Sequence, residues 1–499
     1  MLSAPQISAL VRLRHRRERG GEMGGARGRG LGRLSKEIFR VLSIFKFGKV
    51  TFPHAWKQER TRFNLSNELT FNEAIISPLI EVNRLTKSSE KRRRCTSVFE
   101  LFAAGDDQAA VISHYVYNLH FGCAKKYKQE ALKAIEEFQA NSLNSELQDK
   151  SATEIIAEFS SLMSRVPFPI PREPCFQFID LFAGIGGFRV ALQNLGGHCI
   201  FSSEWDKEAK KTYAANFGEV PFGDITSQCV KDAIPPKFEV LCAGFPCQAF
   251  SIAGRRGGFE DTRGTLFFEV AEIILKHKPQ AFFLENVKGL RNHNGGRTLE
   301  TILNVLRNDL GYHVPDPQII NANDFGLPQH RERIYIVGFR KKSHAEAFKY
   351  PQKTKRKSVF ADVKEDTVVM TKYYLSTQYL GCLRRHRARH ENKGNGFGFS
   401  IIADTEVANA VVCGGMGRER NLVLDHRITD FTAQTRIQGE VNREGIRKMT
   451  PREWARLQGF PDRFVIPVAD ASAYKQFGNS VAVPAIQATA KMILKAIGK

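Results

Sequence analysis

Phe176-Gln177-Phe178-Ile179-Asp180-Leu181-Phe182 runs straight into Ala183-Gly184-Ile185-Gly186-Gly187. The apolar run has the density of a strand buried on both faces. Glycines at a strand-to-helix turn let a ligand approach the backbone closely. Phe188, Val190, Ala191, Leu192 and Leu195 then follow at helical spacing. The turn reads G-x-G-G and lacks the third spaced glycine of the dinucleotide fingerprint, so by itself it fits several nucleotide-like ligands. The next strand, 198–203, ends in Glu204-Trp205, where a carboxylate about 20 residues past the first turn would meet a ribose. Gly223-Asp224-Ile225 closes a third strand candidate and offers a carboxylate to an adenine amino group. Each acid alone fits a surface role. Together, at successive ends of a parallel sheet, they point to an adenosine cofactor.

Further strands are expected over 238–243, over 280–284 ending in Glu285-Asn286-Val287, and over 334–339, with helices over 266–277 and 299–310. The expected fold is α/β, a doubly wound Rossmann-like sheet.

The 499 residues exceed what one compact core accommodates, so several domains are expected. No apolar run reaches the roughly 18 residues of a membrane span. The nine cysteines are scattered and never form C-x-x-C, which predicts reduced thiols in a cytoplasm and neither disulfides nor a metal site. The net charge of +22 is uneven: residues 1–94 carry +13 and residues 340–400 carry +10, leaving the rest at −1. Two basic modules on a near-neutral body predict a polyanionic partner.

Residues 1–94 form a basic segment whose start alternates arginine with glycine and has no apolar period, and it is expected to be partly disordered. Over 95–171 the pattern turns helical, with Ala131, Leu132, Ile135 and Phe138 and later Ile155, Ile156, Phe159, Leu162 and Met163 at three-to-four spacing. Two or three helices of unassigned role are expected there. Val166-Pro167-Phe168-Pro169-Ile170-Pro171 then makes a stiff boundary.

Gly244-Phe245-Pro246-Cys247-Gln248-Ala249-Phe250-Ser251 follows the strand over 238–243. A cysteine just past a strand end, behind a proline, stands where an α/β enzyme places a nucleophile, although taken alone it fits a small buried apolar role better. The blocks around it settle the choice. From Phe176 to Lys499 the chain resembles a bacterial-type DNA (cytosine-5) methyltransferase, through Asp180–Gly187, Gly244–Ser251, Glu285–Val287, Gln329–Tyr335, Arg447–Pro461 and Tyr474–Val481 in order.

That resemblance implies S-adenosylmethionine as methyl donor and double-stranded DNA as substrate. It implies three catalytic residues: Cys247 as nucleophile on C6 of a flipped-out cytosine, Glu285 at N3, and Arg333 at O2, with Arg331 as the alternative. For the cofactor it implies Phe182 on the adenine, Gly184 and Gly186 in the turn, Glu204 on the ribose, Trp205 and Ile225 over the ring and Asp224 on the amino group. Pro246 and Leu266 would line the sulfonium end, with Asn479, Ser480 and Val481 closing the pocket from the chain's far end. Residues 172–340 and 447–499 would form the catalytic domain, and the basic insert 341–446 a target-recognition domain.

Gln248 to Gly264 has the glycines of a hinged lid and the arginines of a phosphate grip, so Ser251, Arg255, Arg256 and Arg263 are DNA-contact candidates. Arg418, Arg420 and Asn421 carry the forked donors that base reading requires. The expected protein is a monomer in a bacterial cytoplasm, serving restriction–modification beside a cognate endonuclease or standing alone. An RNA cytosine-5 methyltransferase, a catalytically silent DNA-binding regulator and a nicotinamide dehydrogenase are the alternatives.

Overall fold

The computed structural model of the chain describes residues 106–119, 121–141, 148–246, 266–354, 356–394, 398–413, 418–432 and 439–499. The basic segment 1–94 lies outside them.

Six strands form the central sheet: β1 Phe176–Leu181, β2 Gly197–Ser203, β3 Val240–Ala243, β4 Ala281–Val287, β5 Gln318–Asn321 and β6 Glu332–Phe339, in the order β2-β1-β3-β4-β6-β5. The first four are mutually parallel, while β6 runs antiparallel to both β4 and β5. A parallel return needs a crossover of a dozen or more residues, and the segment joining β5 to β6 is too short for one. The sheet is therefore mixed, where strand patterns alone imply a parallel one.

The expected third strand before Gly223 is reduced to one bridge, Ser203 to Phe222. Pro221 has no N–H to give a ladder, which accounts for the brevity.

Helices cover both faces. Before the sheet come α1 Asp107–Tyr117, α2 Lys128–Asn141 and α3 Ala152–Met163. Within it are α4 Gly187–Gln193, α5 Lys207–Phe217, α6 Leu266–His277 and α7 Arg297–Asn304, the last continued by a π-helical turn to Asp309. The basic insert holds α8 Thr377–Glu391, and its short strands β7 Ile401–Ile402 and β8 Leu422–Leu424 join β9 Ile446–Lys448 in a small sheet. The buried Arg447 guanidinium ties this sheet to the helix behind it, 2.9 Å from Asp425 and 2.8 Å from Glu453.

The chain then returns through α9 Pro451–Leu457, α10 Asp470–Asn479 and α11 Val483–Ile497. A Thr450–Glu453 capping box starts α9. Helix α11 buries Ala485, Ile486, Ala490 and Ile493, and beside it Asn194 at the end of α4 donates to Gln487 at 3.3 Å.

Register aligns the strand ends. Leu181 stands opposite both Ser203 and Ala243, and Ala243 opposite Leu284. The segments leaving β1 to β4 consequently open on one edge, and the antiparallel β6 begins there, with Arg333 opposite Val287.

Candidate active site

A cavity of about 740 Å³ opens at that edge, within the roughly 300–1,000 Å³ usual for small-molecule sites. Phe182, Gly184, Glu204, Trp205, Asp224, Ile225, Pro246, Leu266, Asn479, Ser480 and Val481, expected from sequence at distant positions, all line it.

The turn after β1 has Phe182, Gly184 and Gly186 at positive φ. A Cβ on Gly184 would meet nothing within 4 Å, so its bare backbone faces open space. Gly186 works differently. It does not line the cavity, and a Cβ there would lie 2.3 Å from the Phe217 ring. This glycine is a packing requirement of the turn, which corrects its assignment as a cofactor contact.

Glu204 is buried, with Oε2 accepting from the Gly184 N–H and Oε1 from the Asp206 N–H, each at 2.8 Å. Burial raises its carboxyl above the usual range against the pull of these donors. The same residue that shapes the glycine turn thus presents its remaining lone pairs to the cavity. Trp205 is 77% exposed, leaving an aromatic face free beside it. Asp224 holds its own loop, accepting from the Thr226 N–H at 3.0 Å.

From the far end of the chain, Ser480 brings a hydroxyl that is buried without a hydrogen-bond partner among the described residues. Side chains at Gly187 are excluded by Val481 at 2.6 Å and Ser480 at 3.1 Å. Bare backbone, a buried carboxylate, a free aromatic face and an unmet hydroxyl around one cavity fit an adenosine-type cofactor.

The same cavity reaches Glu285 and Arg333, whose Oε1 and Nε lie 3.2 Å apart, both nearly buried. Burial raises the Glu285 carboxyl, opposed by the charges of Arg333 and then Arg331. Arg331, the alternative at this position, also lines the cavity, but both its terminal nitrogens are taken up by carbonyls. It is 2% exposed and donates to the carbonyls of Val411 at 2.9 Å and Gly478 at 3.1 Å and to that of Ser480.

Sequence reasoning left several supports of this geometry without a role. Asn286 donates to the Phe245 carbonyl at 2.9 Å and so anchors the turn that leads to Cys247. Lys475 pairs with Asp206, the N-cap of α5, across the pocket mouth. Arg189, whose guanidinium touches Glu219 at 2.7 Å and lies over the rings of Tyr117, Tyr213 and Phe217, locks α4 to the segment after α5. A polar residue amid an apolar helix pattern was the available signal for Arg189.

Cys247, Ser251, Arg255, Arg256 and Arg263 lie outside the described residues. Arg418 and Arg420 are exposed. Asn421 is 1% exposed, and its amide is used on both sides: Oδ1 accepts from the Asn409 N–H at 2.8 Å and Nδ2 donates to the Asn409 carbonyl at 3.1 Å. Its placement as a base reader is therefore corrected to a structural pin. Among the described residues no group of His, Cys, Asp and Glu side chains could hold a metal.

A mixed doubly wound sheet whose strand ends gather an adenosine-type cavity and a carboxylate–guanidinium pair defines the class of S-adenosylmethionine-dependent methyltransferases. Within that class, the chain belongs to the C-5 cytosine-specific DNA methylase family, whose model matches residues 176–495. It is 72% identical over 323 residues to the type II methyltransferase M.HpaII of Haemophilus parainfluenzae, covering 65% of this chain and 90% of that protein. Against M.DsaV of Dactylococcopsis salina the identity is 46% over 322 residues, covering 64% and 86%. Among solved structures, the Entamoeba histolytica methyltransferase EhMeth superposes with a TM-score of 0.50 at 17% identity, over 66% of this chain and all of that one, a likeness of fold. The chain is a DNA cytosine-5 methyltransferase using S-adenosylmethionine, which sets aside the RNA-modifying, silent-regulator and dehydrogenase alternatives.

Proposed function

We propose that this enzyme methylates C5 of a cytosine flipped out of duplex DNA at a specific site, within bacterial restriction–modification. The observation that carries the catalytic assignment is the Glu285–Arg333 pair, 3.2 Å apart on the wall of the cavity that Glu204 and Trp205 also line. Cytosine C5 is a weak nucleophile. Addition of the Cys247 thiolate to C6 makes the ring an enamine whose C5 can take the methyl group. S-adenosylmethionine, when bound, supplies that methyl.

Glu285 donates a hydrogen bond to N3 as negative charge builds in the ring, a task suited to a carboxyl whose burial favours the protonated form. Arg333 directs a fixed positive donor at O2. Loss of the C5 proton to a base then lets the thiol leave. Phe182, Asp224, Ile225 and Trp205 take the adenine, Gly184 and Glu204 the ribose side, Pro246 and Leu266 the sulfonium end, and Asn479, Ser480 and Val481 the remaining wall. The glycines and arginines of residues 248–264, which lie outside the described residues, suit a lid over the flipped base, whose unstacking costs a few kcal/mol, roughly.

Residues 341–446 form the target-recognition domain, with Arg418 and Arg420 as base readers and the basic helix α8 on phosphates. The enzyme acts as a cytoplasmic monomer alongside an endonuclease of the same specificity. Cys247→Ala tests the chemistry: tritium release from C5-labelled DNA should vanish while S-adenosylmethionine binding by calorimetry stays within about twofold. Retained release would remove Cys247 from the mechanism. Bisulfite sequencing of DNA from cells expressing the protein reads the target site.

A further inference from the structure

Helices α1 to α3 lie ahead of residues 176–495, the part matched by the family model, and α1 packs on the outer edge of β2. That edge is where the third strand shrinks to a single bridge at Phe222. An open strand edge leaves N–H and C=O groups without partners. Here side chains of the helical layer take them. His114 Nε2 accepts from the Ser202 N–H at 3.2 Å, and the Tyr127 hydroxyl donates to the Ile200 carbonyl at 3.1 Å. Ser113 Oγ accepts from the Val220 N–H at 3.0 Å, and Asp107 Oδ1 accepts from the Gly223 N–H at 3.0 Å. The ring of Phe222 is packed between those of His114 and Phe201, at 4.6 and 5.3 Å.

The last of these hydrogen bonds is placed differently from the others. Gly223, Asp224 and Ile225 line the cofactor cavity, whereas Ser202 and Val220 do not. Helix α1 begins at this point, with Asp106 as N-cap accepting from the Ala109 N–H at 2.9 Å, so the Asp107 carboxylate is held by a capped helix. Lys210 on α5, 4% exposed, feels the charges of Asp107, Asp106 and Glu204 together. One buried ammonium thus links the start of α1 electrostatically to the carboxylate assigned to the ribose. A charged acceptor on a backbone N–H is among the stronger hydrogen bonds available for fixing a loop.

We propose that Asp107 is a positioning residue for cofactor binding: from outside the region the family model matches it fixes the Gly223–Ile225 loop in the shape that receives the adenine. The proposal rests on the assignment of that loop to the adenine. Asp107 touches no substrate and acts through the Gly223 amide, so it should govern affinity for S-adenosylmethionine and leave the chemical step alone.

The test uses the full-length enzyme with S-adenosylmethionine as the calorimetric probe. Asp107→Ala should weaken binding about tenfold or more, the order expected for one lost hydrogen bond to a charged acceptor, and raise KM for the cofactor equally. At saturating cofactor, kcat and KM for DNA should stay within about twofold. Asp107→Asn, which keeps a neutral acceptor at the same place, should bind more tightly than Asp107→Ala. Should Asp107→Ala fail to fold, Asp107→Glu is read in the same assay. It moves the carboxylate one methylene away from its hold on Gly223, and the same weakening is expected.

Asp224→Ala serves as the reference for the pocket itself. If Asp224→Ala weakens binding and the Asp107 variants do not, the positioning role is wrong and the adenine assignment stands. If neither weakens binding, the adenine assignment fails and the positioning role with it. A fall in kcat at unchanged affinity, or Asp107→Asn as weak as Asp107→Ala, marks a merely structural residue and overturns the proposal.

Discussion

Arg331 and Arg333 stand two residues apart, yet their surroundings give them different work. Arg331 fills three carbonyls drawn from two distant segments, Val411 on one side and Gly478 and Ser480 on the other. Arg333 faces Glu285 in the cavity. Arg331→Ala should therefore strand buried acceptors and destabilise the fold by about 3 kcal/mol or more, read as a lowered denaturant midpoint. Arg333→Ala should leave the midpoint nearly unchanged and lower kcat about 10²–10³-fold. The resemblance marks both arginines and prefers Arg333, but the structural work of Arg331 was not legible, because the groups that bury it lie 80 to 149 residues away.

Asp180 illustrates another residue whose role depends on burial. It stands one residue before the end of β1, fully buried, and burial pushes its pKa up to about 8 from an ordinary 3.8. The folded state then holds a proton that the unfolded state has released, so this group's contribution to stability falls as pH rises from about 4 to about 8. Asp180→Asn is neutral throughout and should flatten that part of the decline. Melting temperatures of both proteins across this range give the comparison, and parallel curves would place Asp180 outside the effect.

At the scale of elements, the turn between β1 and α4 concentrates the strain. Gly186 has φ 84° and its Cα faces Phe217. Gly186→Ala should cost about 1–2 kcal/mol for the left-handed backbone alone, with the ring contact in addition. Both thermal stability and cofactor affinity should drop.

Helix α8 makes a contrasting case, because its charges are spread over the surface. Arg384 pairs with Glu444 and Arg387 with Glu391, whereas Arg385 and Arg389 have no carboxylate partner among the described residues. Those two are the expected phosphate contacts. Arg385→Ala and Arg389→Ala should each weaken DNA binding whatever its sequence and reduce the slope of log K against log salt by about 1. Weakening confined to one DNA sequence would instead make them base readers. The basic run was legible as charge, but pairing across 60 residues between Arg384 and Glu444 was not.

Across the whole molecule, what the sequence disclosed and what it withheld follow from physical range. The glycine turn, Glu204 and Asp224 are local patterns that could be placed at one sheet edge before any geometry was known, whereas Phe182, Pro246, Leu266 and Asn479–Val481 were assigned to the pocket through the resemblance of ordered blocks to a known family. Long-range contacts leave weaker traces. Helix α1 shows its apolar period, but nothing in it announces that Ser113, His114 and Asp107 meet the backbone of a segment more than 80 residues on. The antiparallel course of β6 likewise depends on the length of a connection, which a list of strand patterns does not contain.

The return of Gly478–Val481 to the glycine turn has a consequence for how the enzyme comes into being. Ribosomes deliver the chain from its beginning, and the β1 turn emerges almost 300 residues before the segment that completes its pocket. A nascent chain stalled before Ser480 has the strands of the central sheet but an unfinished cavity. Methyltransfer therefore waits for the Gly478–Val481 segment to be made, and a message ended before it yields a protein whose pocket lacks that wall.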